Sequence, residues 1–225
     1  MNQHYGEILF EDEKIIVVRK RPGVAVESAG SDRDLLAELK SHRLEAGDPP
    51  EIFLVHRLDQ PVEGLLVVAK TEEAAAVLSE EAQDGRMKKI YLAVISGKME
   101  YPVGKLENYL GKQKAVAYVA PTEQPGTKLA KLTYDTIGEK EGASLLRIRL
   151  LTGRFHQIRV QLSHAGHPIL GDRKYGNEKD LSNLSFPALC AAELIFLHPD
   201  TEDKMHFIIR PENEAFQNFE VLGKA

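Results

Sequence analysis

Residues 52–71 read IFLVHRLDQPVEGLLVVAKT. Two strand-like apolar runs flank a polar knot, His56-Arg57-Leu58-Asp59, followed by a turn containing Pro61 and Gly64. Ionisable residues between two buried strands sit on a short, rigid connection, a usual place for catalytic groups. The same spacing also fits a surface loop whose Asp caps a turn.

Similar runs recur on both sides of this stretch. Lys14–Arg19, Gly64–Lys70, Lys89–Ser96, Ser144–Leu151, Glu193–Leu197 and Met205–Arg210 are short, apolar and rich in Val and Ile, which predicts strands. Leu129–Ile137 and Ser144–Leu151 flank the turn GEKEGA and read as a hairpin. Helices are fewer. Asp32–Glu45 follows a capping box of Ser31 and Asp34, Thr71–Asp84 stops at Gly85, and Phe155–Ala165 ends at Gly166 and Pro168. Strands outnumber helices without strict alternation, so the expected fold is α+β: a mixed, largely antiparallel sheet core with flanking helices, as one domain over residues 1–225.

Composition narrows the class. Hydrophobic residues at 43% and charged residues at 28% exclude a disordered or fibrous chain. One cysteine, Cys190, excludes an internal disulfide framework and fits a reducing compartment. No apolar run approaches a membrane span, and the N-terminus lacks a signal-peptide pattern, so a cytoplasmic chain is expected. The formal charge of −5 argues against binding nucleic acid by bulk charge. The charge is segregated, however. Gly142–Gly176 carries six basic residues and a single acid, Asp172, while Arg86–Lys98 has Arg86, Lys88, Lys89 and Lys98 and no acid. Two basic segments in an acidic chain suit a localised anion-binding face.

The first of these regions contains LLTGRFHQIRVQLSHAGHPILGDRKYG at 150–176, which places a strand end before a helix carrying Arg154, His156 and Arg159. Arg159 points about 100° from the face bearing Ile158, so it can reach a neighbouring loop. A guanidinium there suits a carboxylate or a phosphate. The spacing of His156, His164 and His167 matches no common zinc pattern, and no metal site is expected.

HRLDQPVEGLLVVAK resembles the H-R-L-D-x-x-x-x-G-L-L motif of the RluA-type pseudouridine synthases. KKIYLAVISG is similar to that family's K-x-Y-x-A-x-x-x-G segment, and LTGRFHQIRVQLSHAGHPILGDRKYG to its T-G-R-x-H-Q-[IL]-R…G-D-x-x-Y segment. The three motifs run in order across about residues 8–212.

The resemblance implies an isomerase that converts uridine to pseudouridine within ribosomal or transfer RNA, with no cofactor. It places the catalytic aspartate on Asp59, a base-stacking tyrosine on Tyr91, and on Arg159 the arginine that pairs with the aspartate. Whether Asp59 attacks the sugar, attacks the base or stabilises an oxocarbenium-like species stays open. Arg57 falls where the family fills the gap left by an extruded base, and His56, Lys88, Lys89, Arg154 and His156 are expected to contact RNA. The chain departs from the common pattern at Val62, Glu63, Phe155 and Cys190, which suggests a different pocket rim. The family's frequent N-terminal S4 domain is not expected, and nothing requires more than a monomer. Two other classes fit less of the sequence: a non-catalytic RNA-binding factor, and a metal hydrolase built on His56, Asp59 and the later histidines.

Overall fold

A computed structural model describes residues 5–28, 33–177 and 184–219. The chain divides into two compact units, Met1–Lys88 with Ala191–Ile209, and Lys89–Cys190 with Arg210–Ala225.

In the first unit, β1 (Gly6–Glu11), β2 (Ile15–Lys20), β3 (Phe53–Leu54) and β4 (Glu63–Ala69) are joined by β10 (Leu189–Leu197), from Ala191 onward, and β11 (Lys204–Ile208). The order is β1-β2-β4-β10, with β3 paired to β4 and β11 to β10. The β1–β2, β2–β4, β3–β4 and β10–β11 pairings are antiparallel. Every residue of β4 is buried, as its unbroken apolar run demands of a central strand. Its register on β2 sets Ile15 opposite Ala69 and Lys20 opposite Gly64. Gly64 has φ +135, and a Cβ there would lie 2.5–2.6 Å from the backbone of Ala191. Only glycine allows this approach of β10 beside the Asp59 turn.

Two helices pack in this unit. α1 (Leu35–Glu45) starts three residues later than the sequence predicts, because Asp34 is the cap: its carboxylate accepts N–H bonds from Ala37 at 2.9 Å and Ser28 at 2.8 Å. Ser31 lies outside the described residues. α2 (Glu72–Asp84) follows the expected signals, with Thr71 capping Ala74 N–H and Gly85 left-handed at φ 82. The buried Glu81 of α2 accepts the Leu197 N–H at 3.0 Å, tying the helix to β10.

The second unit orders β5 (Lys88–Ser96), from Lys89 onward, with β6 (Val103–Gln113), β7 (Val116–Ala120), β8 (Lys128–Lys140) and β9 (Ala143–Leu150) as β5-β9-β8-β6-β7. The predicted hairpin is β8–β9. Its strands run further than expected, to a two-residue turn at Glu141 (φ 52) and Gly142 (φ 77), the primed geometry that matches strand twist.

α3 (Gln157–His164) begins two residues after the predicted start, because His156 adopts a left-handed φ of 53. The sequence predicts one apolar face; instead Gln157, Arg159 and Gln161 are buried alongside Ile158, Val160 and Leu162. The two glutamines bind to β8. Gln157 Nε2 donates to the Lys131 carbonyl at 3.0 Å, and Gln161 Nε2 to that of Ala130 at 3.3 Å. A 3-10 turn, Glu214–Asn218, belongs to this unit. The fold is α+β with mixed, mostly antiparallel β-structure, as expected. No helix among the described residues is long and apolar enough to cross a membrane.

Candidate functional site

In the first unit, the HRLD segment is a connection between β3 and β4, closed by a turn in which the Val62 N–H donates to the Asp59 carbonyl at 3.0 Å. The next residue fixes it from below. Gln60 O accepts the Gly23 N–H at 2.9 Å, and Gln60 Nε2 returns a bond to the Gly23 carbonyl at 3.0 Å. The same Gln60 carbonyl accepts from Lys20 Nζ at 3.0 Å.

Lys20 is fully buried, and its ammonium also donates to the carbonyls of Arg21 (2.9 Å) and Val24 (2.8 Å). Three acceptors match the three N–H bonds of an ammonium group. Burial pushes Lys20 down to about 7, while the charges of Asp59 and Glu63 pull it back up. Glu63, itself buried, also faces Arg19 Nη2 at 3.5 Å. Two carboxylates and two cations thus surround the turn.

His56 is half-buried, and its Nε2 accepts the Val67 N–H at 3.3 Å, pinning the segment to β4. Arg57 is exposed, with no carboxylate partner among the described residues.

The second unit holds Tyr91 and Arg159. Tyr91 is buried on β5 opposite Ile148 of β9. Lys89, two residues before it, shares its face of the strand, since side chains alternate. Burial lowers the Lys89 ammonium from its ordinary value. Lys88 is exposed.

Arg159 reaches a neighbouring loop, as its helical position predicts. Its Nε donates to Asp172 Oδ2 at 2.7 Å and its Nη2 to Oδ1 at 2.8 Å. Asp172 Oδ1 also accepts the backbone N–H groups of Lys174 (3.0 Å) and Tyr175 (3.2 Å). The guanidinium carbon lies 5.1 Å from the centre of the Tyr175 ring. The Tyr175 hydroxyl lies 2.6 Å from His156 Nδ1 and accepts the Ala117 N–H at 2.8 Å. Arg154 is exposed and donates through Nε to the Leu129 carbonyl at 3.0 Å.

The sequence reading missed Lys20, Asp172 and Tyr175 as parts of this machinery. Each left a trace. Lys20 ends a strand whose first four residues are core, Asp172 is the single acid in a basic stretch, and Tyr175 closes the G-D-x-x-Y segment. No cluster of three or more potential metal ligands occurs among the described residues.

With this geometry in place, comparison with known proteins gives a consistent result. The family profile for RNA pseudouridylate synthase matches residues 14–164. The uncharacterized RNA pseudouridine synthase YjbO of Bacillus subtilis is 32% identical over 203 residues, covering 89% of this chain and 71% of that protein. Ribosomal large subunit pseudouridine synthase D of Zymomonas mobilis is 34% identical over 237 residues, covering 97% of this chain and 72% of its own. Among solved structures, human RNA pseudouridylate synthase domain containing 1 superposes with a TM-score of 0.75 at 22% identity, over 92% of this chain and 83% of that one. That likeness is one of fold. The chain belongs to the RNA pseudouridine synthase family, and is an isomerase acting on RNA.

Proposed function

We propose that the chain isomerises uridines in structured ribosomal RNA, with Asp59 as the catalytic carboxylate and the chain working as one catalytic domain. In this reaction the bond from uracil N1 to ribose C1′ breaks, the base turns and C5 joins C1′. C5 releases its proton and N1 gains one, so the change needs no oxidant, reductant or water. The carboxylate acts at C1′, where it must be ionised and shielded from water.

The observation that carries this reading is the fixing of the Asp59 turn by the buried Lys20 ammonium through the Gln60 carbonyl. A carboxylate on so constrained a connection loses little freedom on meeting its substrate.

Tyr91 stacks on the target base, and Arg159 pairs with Asp59. Asp172 is a positioning residue that holds the plane of Arg159. Arg57 occupies the space left by the flipped nucleotide. Lys88, Lys89 and Arg154 meet phosphates, and His56 and His156 order the segments that carry these contacts. Ribosomal RNA is favoured over transfer RNA because the Zymomonas relative named for the large ribosomal subunit aligns with 97% of the chain. The protein acts as a cytoplasmic monomer without a cofactor.

Tritium release from RNA transcribed with 5-tritiated uridine tests this. The purified protein should release tritium from large-subunit ribosomal RNA and none from a transfer RNA pool, and Asp59→Asn should release none from either. Release from transfer RNA alone would overturn the substrate, and release by Asp59→Asn the role of the aspartate.

A further inference from the structure

Phe155 is a large apolar side chain left 41% exposed, immediately before the buried His156. Its ring stacks on His156 with centroids 3.7 Å apart and planes 20° from parallel. The Lys112 ammonium sits 4.5 Å from the Phe155 ring centre. His156 leads on through the Tyr175 hydroxyl to the Tyr175 ring, against which Arg159 packs. An exposed aromatic is therefore mechanically continuous with a proposed catalytic residue.

Its surroundings are cationic. Lys112 is the last residue but one of β6, Lys114 lies in the turn into β7, Lys174 Nζ donates to the Ala115 carbonyl in that turn at 2.9 Å, and Arg154 precedes Phe155. All four are exposed, and among the described residues none has a carboxylate partner. Asp172, the one acid in this part of the sequence, is buried and engaged by Arg159. An aromatic ring among unneutralised cations is the combination that binds unpaired nucleotides: the ring stacks a base, and the cations follow the backbone.

We propose that Phe155 is a stacking shelf for an unpaired RNA base next to the isomerised uridine, with Lys112 as its displaceable cover. A base stack on an aromatic outweighs an exposed cation–π contact, so the base takes the ring face and Lys112 moves to a phosphate. The left-handed backbone of His156 fixes where the shelf points. The shelf selects sites whose neighbouring nucleotide is unstacked, so Phe155 is a specificity-determining residue.

Fluorescence anisotropy with a labelled single-stranded uridine dodecamer tests this on the full chain. Phe155→Ala and Phe155→Leu should both weaken binding by roughly tenfold, while Phe155→Trp stays within about threefold of wild type. The leucine variant separates stacking from mere apolar area. Lys112→Ala should lower the slope of log K against log salt by about 0.7. Wild-type binding by Phe155→Leu, or an unchanged slope for Lys112→Ala, would overturn the proposal. The inference rests on RNA as substrate and not on the role of Asp59: dodecamer binding by the Phe155 variants and tritium release by Asp59→Asn are separate readouts, so the two readings fail separately.

Discussion

Arg159 and Asp172 form a buried, two-bond ion pair, 4% and 1% exposed, with Nε–Oδ2 at 2.7 Å and Nη2–Oδ1 at 2.8 Å. Paired parallel bonds fix the plane of a guanidinium as a single contact cannot. The carboxylate is fixed in turn by the Lys174 and Tyr175 N–H groups. Asp172 thus fixes the orientation of Arg159 within the second unit.

Removing one partner of such a pair strands a buried charge, at a cost of about 3–5 kcal/mol. Asp172→Ala should therefore lose about 3 kcal/mol of stability in urea titrations. Asp172→Asn should unfold less readily than Asp172→Ala but turn over at least tenfold more slowly than wild type, with KM changed much less than kcat. Stability within 0.5 kcal/mol of wild type for Asp172→Ala would contradict the pairing, and wild-type kcat for Asp172→Asn the positioning role.

Lys20 gives the protein a particular pH dependence. Burial holds its folded-state value at about 7, against 10.5 for an exposed lysine. Between those values the unfolded chain binds the additional proton, so the contribution of Lys20 to stability rises with pH across that window. Below about 7 both states are charged and the contribution is flat and least favourable. The stability of wild type relative to Lys20→Met should grow from pH 6.5 to 8.5, by at most ~1.4 kcal/mol per pH unit. Urea titrations at pH 6.5, 7.5 and 8.5 measure it, and a difference that is constant or shrinks speaks against the assignment.

Gly64 is the geometric hinge of the first unit. A methyl group there meets the Ala191 backbone at 2.5 Å, on a residue whose φ of +135 disfavours any side chain. Strain and overpacking each cost about 1–3 kcal/mol. Gly64→Ala should lose at least ~2 kcal/mol and reduce turnover through the displaced Asp59 turn. A folded, fully active Gly64→Ala protein of wild-type stability would show that β10 can yield.

Much of this was legible in the sequence, for identifiable reasons. The Val- and Ile-rich strands announce themselves because their neighbours on both faces are apolar, as in β2 and β4. β6 and β7 do not: Lys105, Glu107 and Lys112 interrupt the pattern, and pairing of β6 with β8 and of β7 with β6 makes them strands. The start of α3 was misplaced because no local rule demands that His156 be left-handed. Its polar burial was hidden because Gln157 and Gln161 look like solvent-facing residues until β8 supplies their partners. Motif order pointed to Asp59, Tyr91 and Arg159. The supports Lys20 and Asp172 are defined by contacts with residues distant in sequence or in a separate loop, which spacing does not record.

The central claim is that Asp59 makes the chain an RNA pseudouridine synthase. Base-resolution mapping of pseudouridine in cells deleted for this protein, complemented with wild type or with Asp59→Asn, tests it most directly. At least one ribosomal RNA position should lose its pseudouridine on deletion, regain it with wild type and stay unmodified with Asp59→Asn at equal protein level. Restoration of that position by Asp59→Asn would contradict the account.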